Sequence, residues 1–292
     1  MSAIQESERT AIQEELVRFL RAEAGEDTLR RGMQSDLGYD RAVWQKMAEM
    51  GLLGIAISED FGGIGGSAID TAMVAEALGR SLLPVPFIET CVIAPALLEC
   101  SDMTDETRKI LTRIAQGTAT IAIGGNADIV PFRDPDCRFA IKADGTMSGE
   151  VSLVMHGASA DFLLLALYSG NQTRCLLVSS DQDYTIENQT ANDPALRPAK
   201  VSLANVPFIE LTGWRNDDLE QARRQGIVAL SAQQTGAARA IFEVTVDYLQ
   251  TRYQFGRPIG SFQALKHIAA DHFLELESAT SASQAAAKAL AS

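Results

Sequence analysis

The sequence predicts an α+β protein in three parts. These are an all-helical N-terminal domain over residues 1–117, an antiparallel β middle domain over 118–213, and a helical-bundle C-terminal domain over 214–292 whose last helices are absent from this chain. Three observations carry that division. Apolar residues recur at spacings of three and four up to about Gly117, the period of a helix with one buried face. From Thr118 the period falls to two, in short apolar runs bounded by turn residues. Helical spacing returns near Asp217, and the chain stops at Ala286–Ser292 inside a helical pattern without a glycine or proline stop signal, which is why further helices are expected.

Taken in order, Ile12, Leu16, Phe19 and Leu20 mark a first helix over 6–24, and Val43, Trp44, Met47 and Met50 mark another over 40–50. The glycine-rich stretch Gly51–Gly66 then breaks the period. It is neither Gly-x-Gly-x-x-Gly after a strand nor a pattern ending in Lys-Ser/Thr, so it reads as a turn rather than a phosphate loop. Ser67-Ala-Ile-Asp70 is a capping box, and the helix it starts carries Ala72, Val74, Ala75, Leu78 and Leu82 before Pro84-Val-Pro86 fixes an extended segment. Two more helices are expected over 90–100 and 105–116. The strand candidates are Thr120–Ile123, Arg138–Ile141, Phe162–Tyr168, Thr173–Ser179 and Lys200–Leu203, set apart by Asp-Gly, Ser-Gly-Asn and Asn-Asp-Pro turns. Ile227, Leu230, Gln234, Ala238, Ile241, Thr245 and Tyr248 define one mainly apolar or small face of a long helix, expected over 219–255 and ended by Gly256 and Pro258. Phe262, Leu265, Ala269, Phe273 and Leu276 open its antiparallel partner over 261–292.

Composition narrows the function. Hydrophobic residues at 46% and charged residues at 22% are ordinary for a globular chain long enough to bury a sizeable core. Lys and Arg number 25 against 38 Asp and Glu, and the net charge of −13 argues against a nucleic-acid partner. No apolar run approaches the roughly 20 residues that span a bilayer. The N-terminus is polar and acidic, unlike a secretory or transit leader, and the four cysteines show no Cys-x-x-Cys pairing. Free thiols in the cytoplasm are the expectation, with no metal site. His267 and His272, five apart, fall on different faces of a helix, and His156 reads as a turn or surface residue.

The most informative stretch is Tyr248-Leu-Gln-Thr-Arg-Tyr-Gln-Phe-Gly-Arg-Pro-Ile-Gly-Ser-Phe-Gln263. By itself Arg252 has a plain explanation, because a cation in the last turn of a helix complements the negative end of its dipole by about 0.3–1 kcal/mol. The whole string, however, resembles the signature of the acyl-CoA dehydrogenases, flavoenzymes that desaturate acyl thioesters. The N-terminal segments Met47-x-x-x-Gly-Leu-Leu-Gly-Ile, Ser58-Glu-Asp-Phe-Gly-Gly and Val74-Ala-Glu-Ala-Leu-Gly79 are similar to the same family, as are Ser159-Ala-Asp-Phe-Leu-Leu-Leu and Asn192–Pro207. The resemblance implies that Arg252, Gln254, Phe255 and Gln263 reach across a subunit interface to the ADP half of a neighbour's FAD. A guanidinium fork suits a pyrophosphate, and a phenyl ring offers apolar area beside a nucleotide.

The implied reaction is α,β-desaturation of an acyl-CoA with FAD as hydride acceptor, an oxidoreductase acting on CH–CH bonds in fatty acid or steroid acyl-CoA metabolism. The implied partners are a homo-oligomer or a related dehydrogenase subunit, with electron-transfer flavoprotein as electron acceptor. Two departures stand out. Ile121-Ala-Ile-Gly-Gly-Asn-Ala-Asp128 replaces the family's Thr-Glu-Pro strand and Gly-Ser-Asp loop, and Leu153-Val-Met-His156 stands where a tryptophan and a small hydroxyl residue often meet the flavin. One family position for the glutamate base falls on or near Gly226 and the other beyond Ser292, so no catalytic residue is assigned. Three readings stay open: a catalytic dehydrogenase, a non-catalytic subunit that completes the FAD site of a catalytic homologue, and a non-enzymatic acyl-CoA-binding scaffold.

Overall fold

A computed structural model describes residue 4 and residues 6–169 and 172–292. The first residues of the polar N-terminus, Met1–Ala3 with Gln5, and Gly170 and Asn171 of the expected Ser-Gly-Asn turn lie outside the described residues. Helices fill the first part of the chain: α1 (Glu6–Glu23), α2 (Glu26–Gln34), α3 (Arg41–Glu49), α4 (Ala68–Ser81), α5 (Ala94–Cys100) and α6 (Asp105–Ala115). The short α2 has no apolar period to announce it. Its first turn carries Glu26 and Asp27, and Glu26 pairs with Arg30 one turn on at 2.5 Å.

The capping box forms as the sequence predicts, with Ser67 N donating to Asp70 Oδ2 at 2.8 Å. Asp70 is fully buried. Burial alone would push its carboxyl up, but hydrogen bonds from Arg9 at 2.6 Å and from Ser67 hold it below its ordinary value. The same carboxylate therefore caps α4 and pins α1 to it.

Ahead of α5 the chain makes a six-residue π-helical turn, Ile88–Ile93, where a regular helix is expected. Pro95 supplies a reason, since it has no N–H to give the carbonyl four residues before it.

The strands are β1 (Ile121–Gly125), β2 (Arg138–Ile141), β3 (Thr146–Met155), β4 (Phe162–Ser169), β5 (Gln172–Ser179), β6 (Thr185–Asn188), β7 (Pro198–Pro207) and β8 (Ile209–Leu211). They form two four-stranded sheets, ordered β1-β4-β5-β8 and β2-β3-β7-β6. All the pairings in them are antiparallel except β1 with β4, where Ile121 stands beside Phe162. Between β1 and β4 the chain crosses to the second sheet and back, a connection long enough for a parallel return.

The first sheet is a middle layer. Leu163, Leu165 and Leu167 of β4 join Val151, Val154 and Val201 in the core between the sheets, while Phe162, Leu164 and Ala166 join the helical core on the other side. Burial on both faces explains why Phe162–Leu167 is continuously apolar instead of alternating.

Two long helices close the chain, α7 (Asn216–Thr251) and α8 (Gln263–Ala291), joined by a two-stranded hairpin of β9 (Tyr253–Gln254) and β10 (Arg257–Pro258). The half of α7 nearer its start lies against α4 at backbone distance. A β-carbon added at Gly236 would stand 2.0 Å from Glu76 O, and one at Gly79 would stand 1.9 Å from Gln233 O. All four cysteines are free thiols, and burial pushes Cys175 up to about 12. Among the described residues no helix is long and apolar enough to cross a membrane.

Candidate functional site

The hairpin holds the residues singled out by the sequence. Helix α7 stops at Thr251, four residues before the predicted end, and Arg252 is its extended C-cap (φ −82°, ψ 124°) with its N–H on Tyr248 O at 2.9 Å. Arg252 thus sits just past the last turn, and Ile259 N donates to its carbonyl at 2.8 Å. Gln254 pairs with Arg257, and Tyr253 with Pro258. Phe255 (φ 56°) and Gly256 (φ 79°) supply the two positive angles of a type I′ turn. Glycine takes that conformation freely, whereas for phenylalanine it costs on the order of 1–3 kcal/mol. The cost places an aromatic ring at the tip, 90% exposed and edge-on to Phe262 with ring centres 6.1 Å apart.

Arg252, Gln254, Phe255 and Gln263 are all exposed, and the structure brings them together around one hairpin. The side chains of Arg252 and Gln254 have no hydrogen-bond or ion-pair partner among the described residues, while Gln263 Nε2 lies 3.4 Å from His267 Nε2. Arg257 stacks over Phe262, its guanidinium carbon 4.2 Å from the ring centre. In a chain of net charge −13, residues 248–270 carry Arg252, Arg257 and Lys266 and no carboxylate. Uncommitted donors, an exposed ring and local positive charge fit the pyrophosphate and nucleoside half of a dinucleotide. Among the described residues no cluster of His, Cys, Asp and Glu could hold a metal ion.

Two cavities flank α7. A groove of about 760 Å³ runs between α7 and α8, lined by Gln234, Ile241, Thr245, Leu249, Ile268 and His272 among others. A second space of about 400 Å³ lies where α4, the π-helical turn, β3 and α7 meet, with Leu83, Val85, Glu89, Met155, His156 and Leu230 in its wall.

His156 lies in the turn after β3, one of the two alternatives the sequence offered, but it is buried at 8% exposure and not at the surface. Its φ is 55°, its Nδ1 has no hydrogen-bond partner among the described residues, and desolvation beside Arg197 lowers its pKa to about 4. Leu153, also left-handed at φ 59°, is 42% exposed. Sequence reasoning missed Glu89 altogether. Its carboxyl is pushed up by burial, it lines the smaller cavity, and it has no ion-pair partner among the described residues. The signal for it was the proline spacing, Pro84, Pro86 and Pro95, which marks a distorted helix.

The β1 segment that departs from the family pattern has no space to spare. A β-carbon at Gly124 would meet Val154 at 2.8 Å, and one at Gly125 would meet Ala166 O at 2.1 Å. Gly226 is buried, with Ile93 2.8 Å from where its side chain would begin. No carboxylate occupies that position.

Comparison with known proteins follows the same lines. Residues 6–118 match the acyl-CoA dehydrogenase N-terminal domain and residues 221–292 match the C-terminal domain. The acyl-CoA dehydrogenase IpdE2 of Mycobacterium tuberculosis is 32% identical over 274 residues, which are 93% of this chain and 73% of that protein. Acyl-CoA dehydrogenase FadE34 of the same organism is 33% identical over 255 residues, 86% of this chain and 32% of its own length. A solved variant of the Tcur3481-Tcur3483 steroid ACAD superposes with a TM-score of 0.80 at 29% identity, covering 93% of this chain and 74% of that one.

Proposed function

Because this chain belongs to the acyl-CoA dehydrogenase family, we propose that it is a subunit of an FAD-dependent dehydrogenase that desaturates an acyl-CoA between its α and β carbons. Its own part is to lend the hairpin at Arg252–Gln263 to the FAD of a neighbouring subunit. The observation that supports this reading is the uncommitted hairpin, whose donors and strained aromatic tip point away from the rest of the chain. Bound FAD supplies the hydride acceptor. Arg252 would hold the pyrophosphate, Gln254 and Gln263 would offer amide donors and acceptors, and Phe255 would cover the nucleotide's apolar area. The apolar wall of the 400 Å³ cavity holds the acyl group and keeps water from it. No residue of this chain is assigned as the base.

A neighbouring subunit is part of the proposal, either a second copy or a related dehydrogenase chain. The changed β1 segment and the filled space at Gly226 favour the second, in which the catalytic carboxylate belongs to the partner. The relative described as the Tcur3481-Tcur3483 steroid ACAD pairs two names, and by analogy a bulky steroid acyl-CoA is the proposed substrate class. Electron-transfer flavoprotein as acceptor, a cytoplasmic location, and domain boundaries at 117/118 and 213/214 complete it.

Arg252→Ala tests the reading. A charge-assisted contact of this kind is worth on the order of 1.5–3 kcal/mol, so flavin affinity of the assembled oligomer should fall roughly ten- to a hundred-fold. Helical circular dichroism should stay unchanged, and Arg252→Lys should recover only part of the loss. Equal FAD retention by Arg252→Ala, alone and with dehydrogenase partners, would remove the cofactor role. Protein that never takes up FAD in either setting would leave the scaffold reading in its place.

A further inference from the structure

Glu89 sits where a fold has no use for it. It lies in the first turn of the π-helical stretch Ile88–Ile93 and shares the wall of the 400 Å³ cavity with Leu83, Val85, Met155 and Leu230. Most of that wall is apolar, with His156, Asp193, Gln233 and Gln234 as its other polar residues, and among the described residues no side chain is hydrogen-bonded or ion-paired to Glu89. Its residue surface is partly open while its flanks, Ile88 and Thr90, are buried, so the surface it shows is cavity wall. An unpaired carboxyl in an apolar pocket is destabilising by itself, because desolvation of the charged form goes uncompensated. Burial raises its pKa accordingly, which favours a neutral carboxyl that can both donate and accept a hydrogen bond. The π-turn adds a second sign, since such wide turns concentrate at functional sites.

We propose that Glu89 is a specificity-determining residue that recognises a hydroxyl group on the acyl portion of the thioester, within a mainly apolar pocket. The inference rests on the acyl-CoA reading above. A hydroxyl is the matching chemistry, because it too donates and accepts, and its buried oxygen is left unpaired in any pocket lacking a polar wall. A purely hydrocarbon acyl group would leave Glu89 unsatisfied and gain nothing from it. A cationic amine would need the carboxyl charged, which its surroundings oppose.

The test uses the purified full-length protein in its oligomer and a matched set of probes. These are hexanoyl-, octanoyl- and decanoyl-CoA, each beside its counterpart with a terminal hydroxyl, titrated by calorimetry under anaerobic conditions. The parent should bind at least one hydroxyacyl-CoA roughly three- to ten-fold more tightly than its plain counterpart, the range of one added hydrogen bond. Glu89→Gln should keep most of that preference. Glu89→Leu should abolish or reverse it without lowering the melting temperature. If neither series nor a steroid acyl-CoA binds, the acyl-CoA reading itself fails; if only the steroid acyl-CoA binds, and equally well to the parent and to Glu89→Leu, the role given to Glu89 is wrong. If both series bind and the ratio at every length is the same in the parent and in Glu89→Leu, the role given to Glu89 is wrong while that reading stands. A fall in melting temperature with an unchanged ratio would make Glu89 a structural residue and overturn the inference.

Discussion

The two halves of α7 carry their apolar residues to opposite ends. From Ala222 to Gly236 the buried positions are mostly small, Ala222, Gly226, Ala229, Ala232 and Gly236; Gly236 lets α7 lie against α4 at backbone distance, and Gly226 packs on Ile93 of the π-helical turn. From Ala237 onward the large residues are the exposed ones, with Ile241 at 60%, Val244 at 70% and Tyr248 at 55%. Size therefore decides what is buried here more than hydrophobicity does. A close crossing admits only residues with little or no side chain, and the bulky ones are left for a surface that this chain does not itself cover.

The first half offers the largest expected effect. At Gly236 an added β-carbon meets the carbonyl oxygen of Glu76 at 2.0 Å and the amide of Arg80 at 3.0 Å, and both are helix backbone. Neither can move without opening α4. Gly236→Val should cost on the order of 4 kcal/mol or more, the range reserved for forced overpacking of a core. Denaturant midpoints measure it directly, and a variant that unfolds with its parent would refute the close crossing.

How far the sequence reaches follows from the same contrast. Of the face that periodicity picks out, Gln234, Ala238, Ile241 and Thr245 line the α7–α8 groove while Leu230 lines the smaller cavity, and the close contact with α4 is marked by Gly236, which carries little periodic signal. The capping box at Ser67 and the continuous run of β4 were legible because local chemistry and burial agree there. Strand β3 was not marked as one. Its register shifts between Met147 and Gly149 and between Val151 and Val154, and these break the alternation a reader would look for. The hairpin residues were legible as a string, but the αL turn at Phe255 was hidden, since nothing local favours phenylalanine at positive φ. The turn at His156 was legible but its burial was not, because the groups beside it, Tyr39 with ring centres 6.4 Å apart and Arg197, come from distant parts of the chain.

That buried histidine gives the next effect in size, again on the side of the molecule that the first half of α7 closes. Its folded pKa of about 4 lies below its ordinary 6.5, so between these values the unfolded chain binds the extra proton. Stability from this group is complete above about pH 6.5 and is lost as the pH falls toward 4, by about 3 kcal/mol in all. Glu76 and Glu89 act with the opposite sign, since their raised pKa values favour the folded state as the pH falls. The measurement is therefore a difference. Unfolding free energies of the parent and of His156→Asn, which keeps a residue tolerant of positive φ, should converge as the pH drops from 7 to 4. Parallel pH profiles would mean that the histidine is not buried neutral.

The smallest effect on folding is expected in the second half of α7, and it should come with a large effect on assembly. Ile241 and Val244 face solvent in the single chain, so replacing both with serine removes little buried area and should shift the unfolding free energy of an isolated chain by no more than about 0.5 kcal/mol each. The groove beside them, with Ile268 and Leu249 on its walls, is the kind of apolar surface that single soluble chains rarely leave uncovered. If a neighbouring subunit covers it, Ile241→Ser with Val244→Ser should shift light scattering at micromolar concentration from oligomer toward single chain. The hairpin follows the same helix, so flavin retention should fall with assembly even though Arg252 is intact. An unchanged oligomer that still holds its flavin would show that these exposed residues lie outside the interface, and the contrast between the two halves of α7 would then concern helix packing alone.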